Sequence, residues 1–308
     1  MKEKEIRRIK IFVSTSSFAK YDVLPLKLLK DADIDVQVNP HGRTLMQDEC
    51  RHLYRDIDGL IAGTEALTAD ILGAAENLKV ISRCGAGIDN VDLAAAEKRG
   101  IQVFSTPYGP TVAVAELTVS LILSLLRHVP RMDREMRSGK WQKRMGRLVR
   151  GKKVGIIGFG RIGQKVAELL LGMGARISFC DPRTDAGKSG CTQASLDELL
   201  AWADIVTLHV PGKEPLLGKA ELNKMKSGSW LVNCTRGGVV DEKALYQLLK
   251  EGWLSGAAID VFEEEPYRGP LIELDNVILT PHIGSYAIES RVEMEVQAVT
   301  NLLRGFKL

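Results

Sequence analysis

Val154-Gly155-Ile156-Ile157-Gly158-Phe159-Gly160-Arg161-Ile162-Gly163 lies halfway along the chain, and its reading decides the fold. An apolar run enters a G-x-G-x-x-G turn, which predicts a strand, a tight turn and a helix start. Each glycine has its own reason. Gly158 permits the turn, Gly160 lets a pyrophosphate approach the backbone, and Gly163 lets helix and strand pack closely. The first N–H groups of the helix and its positive dipole end face the same point, so an anion is expected there. Taken alone the motif is weak, because a strand-to-helix turn can carry glycines for purely structural reasons. Its surroundings strengthen it. Asp181 follows Gly163 by 18 residues, at the end of the strand-like run Ala175-Arg176-Ile177-Ser178-Phe179-Cys180. An acid at that place accepts hydrogen bonds from the ribose of NAD and opposes the extra phosphate of NADP. Gly158, Phe159, Gly160, Arg161, Ile162, Gly163 and Asp181 are thus expected to bind NAD.

Outward from the turn, strand-like and helix-like segments alternate along the whole chain. Before it, strands are expected at 10–13, 34–38, 59–62, 79–83 and 101–104, with helical patterns such as 67–75 and 93–99 between them. From the turn onward they fall at 154–157, 176–180, 205–209, 230–234, 257–261 and 277–279. Ser195-Leu196-Asp197-Glu198 is a capping box opening a helix to Trp202, and a helix over 241–250 is stopped by Gly252. Such alternation predicts parallel sheets covered by helices on both faces. A long helix is expected over 111–137. The last segment, 287–303, places Ile288, Val292, Val296, Val299 and Leu303 on one helical face that needs a partner surface.

Two Thr-Pro pairs punctuate this order, Thr106-Pro107 and Thr280-Pro281. Proline fixes the backbone at each point and disfavours a helix running through it. The pairs divide the chain into a segment 107–280 containing the glycine turn and a second domain assembled from 1–106 and 281–308.

The 308 residues allow about two domains. Apolar residues make up 45% and charged residues 26%, which suits a globular core. A net charge of +3 gives no case for nucleic acid or an anionic membrane. Cys50, Cys84, Cys180, Cys191 and Cys234 are odd in number, scattered and without C-x-x-C spacing. That argues against a disulfide framework and a zinc site and favours a reducing, cytoplasmic compartment. The charged N-terminus has no signal-peptide core, and the apolar run 112–126 contains Glu116 and is short for a membrane span, so it reads as a buried helix.

If a nicotinamide exchanges hydride, the protein must supply an acid/base for the substrate oxygen and a cation for a substrate carboxylate. Three residues at expected strand ends provide them: Arg236 in Asn233-Cys234-Thr235-Arg236-Gly237-Gly238, Glu265 in Asp260-Val261-Phe262-Glu263-Glu264-Glu265, and His282 in Thr280-Pro281-His282-Ile283-Gly284. Ligands of doubly wound sheets gather at the carboxyl ends of strands, so the three can meet. A histidine exchanges protons near neutral pH, a neighbouring carboxylate favours an imidazolium, and an arginine clamps a carboxylate or a developing oxyanion.

These blocks resemble the D-2-hydroxyacid dehydrogenase family. So do Lys79 to Asp92 (with Arg83-Cys84-Gly85-Ala86-Gly87), Val114-Ala115-Glu116-Leu117, Gly151-Lys152-Lys153 and Leu208-His209-Val210-Pro211. The likeness runs in order along nearly the whole chain and is strongest to the phosphoglycerate dehydrogenase branch. It implies a Rossmann cofactor domain inserted into a flavodoxin-like substrate domain, closing about the two Thr-Pro hinges, and a homodimer formed through the helix after Pro107. It implies catalytic roles for Arg236, Glu265 and His282, and substrate contacts from Arg83, Gly85, Ala86, Gly87 and Arg236. It also extends the NAD site to His209, Val210, Pro211, Cys234, Thr235, Arg236, Asp260, His282 and Gly284, with Asp260 taking the nicotinamide carboxamide. No metal is implied.

The chain also departs from that branch. Phosphoglycerate-specific relatives carry an arginine after the third strand, where this sequence has Gly63-Thr64-Glu65, and Glu65 opposes a phosphate unless turned away. Lys143 and Arg144 are candidates to reach a partner subunit. A chain ending at Leu308 leaves no room for a C-terminal regulatory domain, so feedback through one is not expected. Three readings stay open: a phosphoglycerate dehydrogenase-like enzyme on a small 2-hydroxy acid, a glyoxylate or hydroxypyruvate reductase, and an NAD(H)-sensing scaffold like the co-repressors of this fold.

Overall fold

The computed structural model describes residues 7–183, 190–212 and 214–308. Contacts divide it into two compact units, Met1–Pro110 with Ser285–Leu308, and Thr111–Gly284. Both are parallel α/β sheets, as the alternation predicts.

The first unit contains β1 (Lys10–Val13), β2 (Asp35–Val38), β3 (Gly59–Ala62), β4 (Val80–Arg83) and β5 (Gln102–Ser105), in the order β2-β1-β3-β4-β5. This is the flavodoxin-like order, whose switch point lies between β1 and β3. Central β3 is buried along its whole length, as an apolar strand covered on both faces should be. One layer of core holds Phe12, Leu60, Ile71 and Ile81, and the other Ile11, Val13, Ile61 and Val80.

The final helix, Ile288–Phe306, packs on this second layer through a face that is rotated from the expected one and shares Val299 with it. Met294, Ala298, Val299 and Leu302 are buried, whereas Ile288 is 56% exposed. Small residues decide the contact: a Cβ on Gly305 would lie 2.8 Å from Val80 Cγ1, so glycine lets the helix approach β4 closely. Ile288, Val292 and Val296 instead line an open groove with Tyr21 and Tyr108.

The second unit contains β6 (Lys153–Ile157), β7 (Arg176–Cys180), β8 (Thr192–Gln193), β9 (Ile205–Leu208), β10 (Trp230–Asn233), β11 (Gly256–Ile259) and β12 (Val277–Leu279). Their order is β12-β11-β10-β9-β6-β7-β8, all parallel. β6 is therefore the strand at which the winding reverses, and the glycine turn follows directly from it. The two-residue β8 has no counterpart among the expected strands, being too short to show a pattern.

The single helix expected over 111–137 is two, Pro110–Arg127 and Val129–Arg137. Pro130 has no N–H for the carbonyl of Leu126, and His128 turns into the left-handed region at φ +55°. The freed Leu126 carbonyl accepts the N–H of Arg147 at 2.9 Å instead. The first of these helices is apolar enough to cross a membrane by length and composition. Its Ala115, Ile122, Leu125 and Leu126 nevertheless belong to the core with β6 and β10, so it is a core helix with one covered face.

Candidate functional site

The glycine turn is built as its sequence requires. Gly158 has φ +89°, and a Cβ there would lie 2.4 Å from the carbonyl oxygen of His209. A Cβ on Gly163 would lie 2.2 Å from the carbonyl oxygen of Gly158. At Gly160 the nearest atom to such a Cβ is Arg183 Nη2, at 3.5 Å. Two glycines are thus demanded by the protein's own packing, while Gly160 leaves open space where a pyrophosphate must approach. The helix that follows, Arg161–Gly172, has Gly160 at its N-cap and no side-chain cap, which leaves its first amides to an anion. The turn therefore fits a dinucleotide.

Asp181 ends β7 beside this turn. One carboxylate oxygen, Oδ2, accepts the N–H of Phe159 at 2.7 Å and Nη2 of Arg183 at 2.8 Å. The other, Oδ1, accepts the backbone N–H of Arg183 at 3.0 Å and its Nε at 2.9 Å. The Arg183 guanidinium holds this carboxyl well below the usual range. Asp-Pro-Arg was visible in the sequence, yet nothing in the glycine spacing singles out Arg183.

After β9, Val210 is half-buried and Pro211 exposed. The His209 ring accepts from or donates to Thr207 Oγ1 at 3.0 Å through Nε2, while Nδ1 is buried with no hydrogen-bond partner among the described residues. Burial lowers its pKa to about 3, so this imidazole is neutral. Cys234 and Thr235, after β10, are buried, and burial pushes the Cys234 thiol up to about 12.

Three adjacent strand ends carry the acid/base residues. Arg236 follows β10, Asp260 and Glu265 follow β11, and His282 follows β12. A Cβ on Gly237 would lie 1.7 Å from the carbonyl oxygen of Phe262, so glycine allows the Arg236 loop to rest on the loop leading to Glu265. Arg236 directs Nη1 to the carbonyl of Thr235 at 2.8 Å. His282 Nδ1 and Glu265 Oε2 are 2.9 Å apart, and Glu265 Oε1 accepts the Phe262 N–H at 3.1 Å. The carboxylate thereby fixes the ring and leaves its Nε2 edge for a reacting group.

Asp260 is fully buried, and burial raises its pKa. Its Oδ1 accepts Thr280 Oγ1 at 2.6 Å and the Ile283 N–H at 2.8 Å, and Oδ2 accepts the Gly284 N–H at 2.8 Å. Asp260 thus ties down the loop that presents His282, a task the sequence pattern does not reveal.

Arg83, Gly85, Ala86 and Gly87 belong to the other unit, at the end of β4. Arg83 folds over Gly85, where a Cβ would lie 1.2 Å from its Nη1. The Gly85 N–H donates to Thr106 Oγ1 at 2.7 Å, so an anion at this turn is left to the Ala86 and Gly87 amides. In the loop after β3, Glu65 is turned inward. It is 3% exposed and accepts the hydroxyls of Ser14 and Tyr54, the latter at 3.0 Å, and the Gly63 N–H at 3.3 Å. The condition under which the loop tolerates a phosphate is met. Arg144, expected to reach outward, is held by Glu135 of its own chain, Nε to Oε2 at 3.0 Å. Among the described residues, no three His, Cys, Asp or Glu side chains gather to hold a metal.

Residues 119–284 match the family described as D-isomer specific 2-hydroxyacid dehydrogenase, NAD binding domain. The chain is 42% identical over 277 residues to the glyoxylate reductase of Thermofilum pendens, covering 85% of this chain and 82% of that one. It is 40% identical over 250 residues to the D-3-phosphoglycerate dehydrogenase of Archaeoglobus fulgidus, covering 77% of this chain and 47% of the relative. It therefore spans about half the length of that relative. The crystal structure of the TT0316 protein from Thermus thermophilus superimposes with a TM-score of 0.90 at 35% identity, covering 97% of each chain. The chain belongs to the D-isomer specific 2-hydroxyacid dehydrogenase family. Its larger unit is that family's NAD-binding domain.

Proposed function

We propose that the protein is an NAD(H)-dependent D-2-hydroxyacid dehydrogenase, related in type to phosphoglycerate dehydrogenase, acting on a small 2-oxo or 2-hydroxy acid. The observation that carries this reading is the His282–Glu265 contact of 2.9 Å at the end of β12, beside the loop of Arg236. A bound nicotinamide supplies or accepts the hydride at C2. In reduction, His282 gives a proton from Nε2 to the carbonyl oxygen, and in oxidation it takes that proton from the hydroxyl. Glu265 orients the ring and stabilises its charged form. Arg236 is the cation that the larger unit offers a substrate carboxylate, and Arg83 with the Ala86 and Gly87 amides is the anion-binding turn of the other unit. Asp260 positions the His282 loop.

A second reading, glyoxylate or hydroxypyruvate reduction, is favoured by the loop Gly63-Thr64-Glu65. It offers no cation to a phosphate, and its one charge is buried. Rates with NADH against plain and phosphorylated 2-oxo acids separate the two. Turnover of plain acids only selects the second, turnover of phosphorylated acids the first. NADH binding with no turnover of any 2-oxo acid overturns both in favour of a sensing scaffold.

A homodimer is part of this proposal. Half-buried Val119 and Leu123 and exposed Val129 line an apolar groove on the helix pair from Pro110, and Trp141, Met145 and Leu148, which follow that pair, are exposed. Cytoplasmic location rests on the five cysteines being odd in number, scattered and without C-x-x-C spacing.

A further inference from the structure

The hydrogen bonds of Asp181 raise a question about the ribose subsite. A carboxylate offers about four lone-pair positions, and here four N–H donors occupy them: one from Phe159 and three from Arg183. In this arrangement the acid has no acceptor left for ribose hydroxyls, and its charge is paired with a two-pronged guanidinium. The guanidinium also stands beside the glycine turn, since its Nη2 is the nearest atom to an imagined Cβ on Gly160. An acid excludes a 2′-phosphate by repelling it and by preferring hydroxyl donors. Both effects are weakened when the acid is already neutralised.

We propose that Arg183 determines cofactor choice, so that this subsite takes the 2′-phosphorylated dinucleotide as well as NAD. The Arg183 side chain is 70% exposed, whereas that of Asp181 is 5% exposed. The exposed partner is therefore the one that moves, while the buried carboxylate keeps the N–H of Phe159. With NAD, Arg183 swings out and Asp181 receives the ribose hydroxyls. With NADP, the same guanidinium turns its fork onto the 2′-phosphate, for which its planar donors are suited. The inference rests on the dinucleotide reading of the glycine turn and is independent of which acid is the substrate.

The test is binding, followed by the fluorescence of NADH and NADPH titrated separately into the wild-type protein, Arg183→Ala and Arg183→Lys. The wild type is expected to bind NADPH within about tenfold of NADH at low salt, and Arg183→Ala to weaken NADPH by about tenfold or more with NADH little changed. Arg183→Lys should keep part of the NADPH affinity, and NADPH binding should fall more steeply with salt than NADH binding. Wild-type binding of NADPH more than about a hundredfold weaker than NADH overturns the inference, as does an Arg183→Ala protein whose preference stays within about twofold of wild type. Failure of the wild type to bind either dinucleotide instead overturns the reading of the turn itself. Thermal melts of the variants accompany the titrations, and a cooperative transition in each shows that an affinity change is local to the subsite.

Discussion

His282 Nδ1 lies 2.9 Å from Glu265 Oε2, and the second oxygen of Glu265 is fixed by the N–H of Phe262. The histidine is thus aimed by a carboxylate that is itself aimed by backbone. His282→Gln is expected to lower turnover of a verified 2-oxo acid at least about tenfold, with the melting midpoint little changed because both side chains are partly exposed, at 48% and 39%. Glu265→Gln keeps an acceptor but removes the charge, so kcat should fall while KM changes little. Steady-state kinetics check both, and full activity of His282→Gln rules out its proposed role.

Two glycines of the turn, Gly163 and Gly160, make opposite predictions. Gly163→Ala drives a methyl group against the carbonyl of Gly158 and should lower stability by about 1–3 kcal/mol. Gly160→Ala meets nothing closer than 3.5 Å, so it should fold normally and bind NADH at least about tenfold more weakly. Melting curves beside dinucleotide titrations distinguish them. Equal melting midpoints for the two variants would count against the packing argument.

His209 makes stability depend on pH. Its folded pKa of about 3 lies below the unfolded value of about 6.5. Between these values the unfolded chain binds more protons, so stability falls as pH drops from about 6.5 towards about 3, by at most about 1.4 kcal/mol per unit. Above about 6.5 the residue contributes no slope. Urea titrations of wild type and His209→Gln from pH 7.5 to 5 should show a steeper loss for wild type. Parallel curves would mean that the imidazole is protonated in the folded state.

Glu65 holds the loop after β3 to the inner layer of its sheet. Glu65→Leu removes the acceptor of Tyr54, whose unpaired hydroxyl should cost about 1–3 kcal/mol, while the Ser14 hydroxyl keeps the Ile61 carbonyl at 3.2 Å. The Gly63 amide, which donates to Glu65 and to Ser14 Oγ, should also exchange faster. Hydrogen exchange at that amide is the direct readout.

The sequence revealed what has a short period or a steric cause. Strands such as Lys10–Val13, Gly59–Ala62 and Arg176–Cys180 fall where their apolar runs place them, because a doubly covered strand has little freedom in composition. The Ser195 box opens the helix Leu196–Trp202, with Ser195 accepting the Glu198 N–H. The 111–137 helix misled because apolar periodicity continues past His128, while Pro130 ends the first segment. The last helix turns its buried face away from Ile288 and Val292, because the small Ala298 and Gly305 let it approach the sheet, and apolar spacing alone does not show that smallness. At the candidate site, residue types were legible but their hydrogen bonds were not. The inward turn of Glu65 and the fork of Arg183 on Asp181 depend on neighbours brought in by other strands.

The two passages of the chain between its units have a consequence for how it can be re-engineered. A Cβ on Gly284 would lie 3.3 Å from Val114 Cγ2, so the first and last turns of the Thr111–Gly284 unit touch. In the other unit the Gly109 carbonyl accepts Ser290 Oγ at 2.8 Å, and Gly109 abuts Met294. Each unit thus closes on itself where the chain leaves it. The nucleotide-binding portion is a cassette with adjacent ends, fit to be excised, circularly permuted or exchanged for that of a relative, while a short bridge rejoins the remainder.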